Sequence, residues 1–298
     1  MSVLGELKRW VNGGLSPFNV RLETLTAERA EAARLRALQA QGNFGHPVFP
    51  ILRQFEDCDP APILAEVALH EQQFARFASP DSSGYRFDND YYQSPDAEVL
   101  YAIVRLLKPK RIVEVGSGNS TLLFRQAIVD GALDTQLTSI DPSPRLEIAR
   151  HADVVLRSRL EEIADEAVFG GLRANDLLFI DSSHEIKTGN DVLKLFLTIM
   201  PSLAAGVVVH VHDVYLPYDY PAEWIVANRW NWTEQYLLQA LLQESDTYEV
   251  LWCGHYLQRT RPELPKRFRF WTGPTHGRSG CASARTDRPR RKRTACAL

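Results

Sequence analysis

Residues 111–124 read RIVEVGSGNSTLLF, and residues 137–141 read LTSID. A largely apolar run, 112–115, ends in Gly116-Ser117-Gly118 and passes into a helix-compatible segment from Ser120. The second short run ends in Asp141, 23 residues after Gly118. Strand, tight glycine turn, helix and acid-ended strand together commit the chain to an α/β architecture that opens on a nucleotide-type ligand. Glycines let backbone come close to a ligand, and an acid ending the next strand can accept hydrogen bonds from both ribose hydroxyls. The third glycine position of the dinucleotide fingerprint is Thr121. The turn therefore suits a nucleoside without a pyrophosphate.

EVGSGNST followed by SID resembles motif I and its acidic successor in class I S-adenosylmethionine-dependent methyltransferases. The resemblance runs from about residue 89 to 272 and takes in FIDSSH at 179–184, VHVHDV at 209–214 and WNWTEQYLLQALL at 230–242. The last three look like the bacterial O-methyltransferase branch that also holds macrolide-sugar methyltransferases and cephalosporin-hydroxylase-like proteins. The resemblance implies S-adenosyl-L-methionine as cofactor, with Glu114, Gly116, Ser117 and Gly118 at its methionine part and Asp141 on its ribose. Asn119 and Ser120 either touch the ligand or cap the first helix.

The fold implied is Rossmann-like: a doubly wound, mostly parallel sheet with a terminal antiparallel strand pair and a helical N-terminal extension. Strands are expected near 111–115, 136–140, 153–156, 176–181 and 206–211. Helices are expected over 95–107, 120–130, 144–151, 159–168 and 187–200. Runs such as LLFI and VVV suit strands buried on both faces. The closing pair is expected at 248–257 and 267–271, with no helix between them. Helical patterns over 25–41 and 60–78 make residues 1–84 an extension that either forms a lid or packs on the core. Residues 85–275 form the main domain.

Hydrophobic residues at 45% and charged residues at 24% are ordinary for a soluble enzyme. No apolar run reaches the ~20 residues that span a bilayer, and the first residues lack a secretory pattern. Cys58, Cys253, Cys281 and Cys296 are scattered without a CxxC, as expected of free thiols in a cytoplasmic protein. Residues 276–298 hold seven Arg or Lys and one Asp, so the first 275 carry −9 within the chain's net −3. The tail has almost no large apolar residues and reads as disordered. An acidic body argues against nucleic acid as the main partner.

The strands expected to carry chemistry end in Asp181 to His184 and in His210 to Asp213. A hydroxyl acceptor needs either a base or a divalent metal to raise its alkoxide character. Asp181 and Asp213 stand where metal-dependent relatives place oxygen ligands, and His212 stands where those relatives often have a second acid. Asp181, Asp213 and His212 are therefore candidate metal ligands, while His212, Asp213 and His184 are candidate catalytic groups. Asp181 also borders the expected cofactor site. His210 reads as a packed strand residue. Residues 157–160 mark the adenine neighbourhood. Tyr91, Tyr92 and Gln93 either reach the ligands or pack, and Trp230, Trp232, Glu234, Gln235 and Tyr236 read first as core. The expected acceptor is a small molecule or a sugar. Rivals are a nicotinamide-dependent oxidoreductase, a non-catalytic cofactor-binding protein, and, through the tail alone, an RNA methyltransferase.

Overall fold

The computed structural model describes residues 3–79, 84–271 and 281–285. Five strands, β1 (Arg111–Val115), β2 (Gln136–Ile140), β3 (Val154–Leu156), β4 (Leu177–Ile180) and β5 (Val208–His212), lie within two residues of their expected spans. They are parallel in the order β3-β2-β1-β4-β5, the arrangement of a Rossmann-like sheet. Every residue of β4 and β5 is buried, which explains the unbroken apolar run of β4 and the three valines of β5.

Register sets the site. Val115 pairs with Ile140 on one side and Ile180 on the other, and Ile180 pairs with Val211. Gly116, Asp141, Asp181 and His212 follow directly, so the chain delivers them at one level of one sheet edge. The sheet order reverses between β1 and β4, where such sheets hold ligands beyond their carboxyl ends.

Helices Asp96–Leu107 and Asn119–Asp130 pack against each other, and Ala61–Leu69 packs on the first of them. The expected helix over 60–78 is split at His70 into Ala61–Leu69 and Glu71–Phe77. Residues 48–58 are stitched to the main body. Val48 and Phe49 N–H groups donate to Pro217 O, and Gln54 Nε2 donates to the carbonyls of Leu242 and Ser245. Helix Thr26–Ala40 has no buried residue and meets the helical turn Glu223–Ala227.

Three expectations are corrected. Residues 144–151 form bends and turns rather than a helix, because Pro142 and Pro144 leave too short a run and Ile148 is drawn fully into the core. The helix expected over 159–168 is two short pieces, Leu160–Glu162 and Asp165–Val168. The closing strand pair expected at 248–257 and 267–271 does not form between those segments. Only Glu249–Cys253 (β6) is a strand. Gly254–Thr260 is helical, and the chain around Pro262 and Pro265 turns instead of extending. Cys281–Arg285 (β7), inside the segment expected to be structureless, runs antiparallel to both β5 and β6. The rest of that segment lies outside the described residues, among which no helix is long and apolar enough to cross a membrane.

Gly116 has φ +83°, and a Cβ on it would lie 1.8 Å from the backbone oxygen of Asp181. Gly116→Ala should therefore cost about 2–4 kcal/mol in denaturant unfolding, because both the backbone conformation and the contact would have to give. A loss below 1 kcal/mol would show that the β1 and β4 ends separate easily.

Candidate functional site

The ends of β1, β2 and β4 are tied by backbone bonds: Gly116 N–H donates to Ile140 O and Asp181 N–H to Val115 O, both at 2.9 Å. Above them opens a cleft of about 920 Å³ lined by residues from all four central strand ends. Of the candidate residues named from sequence, Gly116, Ser117, Asp141, Asp181, His184, His212 and Asp213 line it together.

Asp141 is fixed in place. One carboxylate oxygen accepts from Ser117 N–H and Ser117 Oγ, each at 2.9 Å, and the other accepts from Ser143 N–H at 2.7 Å. A carboxylate offers about four acceptor sites, so capacity remains for a hydroxyl from the cleft. Ser158, Arg159 and Leu160 of the expected adenine neighbourhood also line the cleft.

Glu114 and Ser120 are placed differently from the sequence expectation. Glu114 is fully buried and accepts from Ser120 Oγ and Thr121 Oγ1 at 2.6 Å and from Ser139 Oγ at 2.7 Å. Burial pushes its carboxyl up to about 7. Thr121 Oγ1 also accepts from Gly118 N–H at 3.1 Å. These side chains brace the turn from behind, and Gly118, Asn119 and Ser120 are not part of the cleft lining. Thr121 fills the position that a dinucleotide turn keeps as glycine, which removes the main feature of the oxidoreductase reading.

The carboxyl ends of β4 and β5 hold a compact cluster. One donor atom each from Asp181, His212 and Asp213 lies within 4.8 Å of the others. His212 Nδ1 is 3.3 Å from Asp213 Oδ2 and 3.6 Å from Asp181 Oδ1, yet it is buried without a hydrogen-bond partner. His184 Nε2 is 3.1 Å from Asp181 Oδ1, and His184 Nδ1 is 2.8 Å from Glu234 Oε2. His184 and Asp213 both sit at φ +59°, a left-handed conformation that non-glycine residues hold only when their surroundings demand it.

Electrostatics follow from that packing. Burial opposes charge on His184, but hydrogen bonds to Asp181 and Glu234 outweigh it and raise its pKa to about 10. Burial likewise opposes charge on His212, and the neighbouring Asp213 and Asp181 carboxylates lift it well above the usual imidazole range. His210 is the reverse: fully buried and stacked on Phe179 at 4.8 Å, it is driven well below that range by burial. It packs in the strand, as expected. Tyr92 is also buried and stacks on His212 at 4.7 Å, whereas Tyr91 and Gln93 line the cleft.

Two residues of the site were not read from sequence as such. Glu234 was expected as core, and it is core, but its carboxylate fixes His184. Asp96, which looks in sequence like an ordinary acid in a first helical turn, lines the cleft with Oδ2 3.9 Å from His212 Nε2. Burial pushes its carboxyl up to about 7. Asp96 has no motif around it, and Glu234 lies within the 230–242 motif only as an expected core residue; both act across elements far apart in the chain. Trp224, Trp230 and Trp232 form one wall of the cleft, with Trp232 4.1 Å from His184 between ring centroids.

Residues 113–214 match the family model of a methyltransferase domain. That span, a third of the chain, contains every strand-end residue of the cluster and the glycine turn. No curated protein matches the chain. Similar solved structures include the S-adenosylhomocysteine-bound methyltransferase PaMTH1 of Podospora anserina. It is 17% identical with a TM-score of 0.41, and the likeness covers 90% of this chain and 100% of that one. The O-methyltransferase TomG of Streptomyces achromogenes, involved in tomaymycin synthesis and solved with S-adenosylmethionine, is 19% identical over 76% of this chain and 90% of that one, with a TM-score of 0.40. A Bacillus cereus O-methyltransferase in complex with S-adenosylhomocysteine is 14% identical over 74% and 91%, also at 0.40.

Glu234→Ala should destabilise the protein by about 3–5 kcal/mol near neutral pH, because a buried imidazolium then loses a hydrogen-bonded counter-charge. The folded state holds a proton on His184 up to about pH 10, whereas the unfolded chain releases it near 6.5. The stability that this proton contributes is thus complete below 6.5 and lost as pH rises through 10. Urea unfolding from pH 6 to 10 should show that decline in the wild type and a flatter profile in Glu234→Ala. Identical profiles would contradict the pairing.

Proposed function

We propose that this chain is an S-adenosylmethionine-dependent methyltransferase that moves a methyl group to an oxygen of a small-molecule or sugar acceptor, with a divalent metal at the acceptor end. The carrying observation is that the acid–imidazole cluster of Asp181, His212 and Asp213 opens into the same cleft as the Gly116 turn and Asp141. The match of residues 113–214 to a methyltransferase domain covers both halves of that cleft.

The residues present suit both groups. Gly116 and Ser117 offer close backbone, and Asp141 keeps acceptor capacity for a ribose hydroxyl. The cofactor brings an already activated methyl group, so the protein's work is alignment and exclusion of water. For the metal, the fit rests on the buried, unpartnered Nδ1 of His212 facing two carboxylates. One imidazole with two carboxylates is a mixed donor set, more suited to manganese, iron or zinc than to magnesium. Such an ion would supply positive charge that favours the deprotonated form of a bound hydroxyl. Asp181 and Asp213 would hold it with His212, while His184 and Glu234 keep Asp181 oriented.

The alternative role for His212, a metal-free base, is disfavoured by its surroundings. Two adjacent carboxylates favour its protonated form, which neither accepts a proton nor binds a metal; a divalent ion would displace that proton, whereas a metal-free base would have to lose it unaided.

Chelation should therefore abolish turnover and leave S-adenosylhomocysteine binding intact. His212→Asn should lower turnover by ~10²–10⁴-fold, a loss of the size expected when acceptor activation fails. Asp141→Ala should weaken cofactor binding by about 10–100-fold, the size of a lost hydrogen-bond set on an ionised group, and Asp213→Ala by much less. Equal losses in the two aspartate variants would refute this division of the cleft. Turnover that survives chelation but not His212→Asn would restore the base role.

A further inference from the structure

The cofactor proposed above carries a cationic α-ammonium at its methionine end, and a buried ammonium needs a counter-charge. Sequence resemblance places that end beside Glu114. In the structure Glu114 is sealed from the cleft, with both of its carboxylate oxygens occupied by hydroxyls. Asp96, carried on the first turn of helix Asp96–Leu107, lines the cleft together with Val115 and Gly116. It is only 4% exposed, and its Oδ1 has no hydrogen-bond partner among the described residues. Its Oδ2 comes no nearer than 3.9 Å to His212 Nε2, beyond hydrogen-bond length.

We infer that Asp96 is the counter-charge for the α-ammonium of the cofactor's methionine end, a role that rests on the cofactor reading above. A buried carboxylate oxygen without a donor is costly, and an incoming ammonium supplies donors and charge together. The competing partner, the proposed metal, lies elsewhere. His212 turns Nδ1 toward Asp181 and Asp213 and Nε2 toward Asp96, so Asp96 sits across the imidazole ring from the candidate ligands. The other strand-end carboxylates carry donors already: Asp141 accepts three hydrogen bonds from Ser117 and Ser143, with room left only for a ribose hydroxyl, and Asp181 faces His184. Asp96 is left as a cleft-lining acid with a buried oxygen that has no donor among the described residues.

The test compares two ligands by calorimetry: S-adenosylhomocysteine and its analogue with hydrogen in place of the α-amino group. Wild-type protein should prefer the amino compound by about 10–100-fold, as expected for a charged hydrogen bond. In Asp96→Asn and Asp96→Ser the two ligands should bind within about threefold of each other, with binding of the deamino analogue nearly unchanged from wild type. A merely structural role would instead weaken both ligands alike and keep their ratio, which would overturn the inference. Wild-type protein that fails to discriminate would overturn it without any variant, so the test survives if neither substitution folds. If wild type binds neither compound, the cofactor reading fails, and this inference falls with it.

Discussion

Gly116 touches the end of β4 so closely that no side chain fits between them. That contact puts the glycine turn, built by β1 and its helix, against Asp181, the first member of the acid–imidazole cluster. Parallel register then brings Asp141 and His212 to the same level from the flanking strands. Two chemically distinct halves of one cleft thus follow from a single steric requirement at the point where the sheet order reverses. A wider β1–β4 spacing would leave a nucleoside site and an acid cluster unable to serve one reaction.

The cluster itself is a balance of charge on the inner wall of the cleft. His184 sits between Asp181 and Glu234, and His212 sits beside Asp181 and Asp213 with Asp96 across its ring. Isolated, a buried imidazole such as His184 or His212 would shed its charge. Together these groups hold imidazolium and carboxylate forms that water would otherwise solvate. The left-handed backbone at His184 and Asp213 is the strain this arrangement carries. Such strain is maintained where preorganised polar groups face a ligand, and it costs stability elsewhere in the fold.

Much of this was legible before any coordinates. The alternation of short apolar runs located all five parallel strands, most plainly β4, which is buried throughout, although β3 is only half-buried. Strand-end residues were legible for the same reason: once a strand is placed, its last residue is placed. Glu114 misled because a motif position tells where a residue sits on a strand but not which side its carboxylate faces. Three nearby hydroxyls, Ser120, Thr121 and Ser139, decide that, and all three lie in other elements. Glu234 and Asp96 were opaque because their partners are 50 and 116 residues away in sequence. The helix expected at 144–151 and the strand expected at 267–271, neither of which forms, both lie next to prolines, where local pattern competes with turn formation and tertiary contacts choose.

The account stands on the cleft being a nucleoside site whose cofactor half works independently of its metal half. Isothermal titration of wild-type protein with S-adenosylhomocysteine, in EDTA and again with added Mn²⁺, tests this most directly, with NADH titrated alongside. Saturable one-site binding of S-adenosylhomocysteine at similar affinity in both buffers, with no binding of NADH, is the predicted result. Absence of S-adenosylhomocysteine binding, or binding of NADH in its place, would contradict the account.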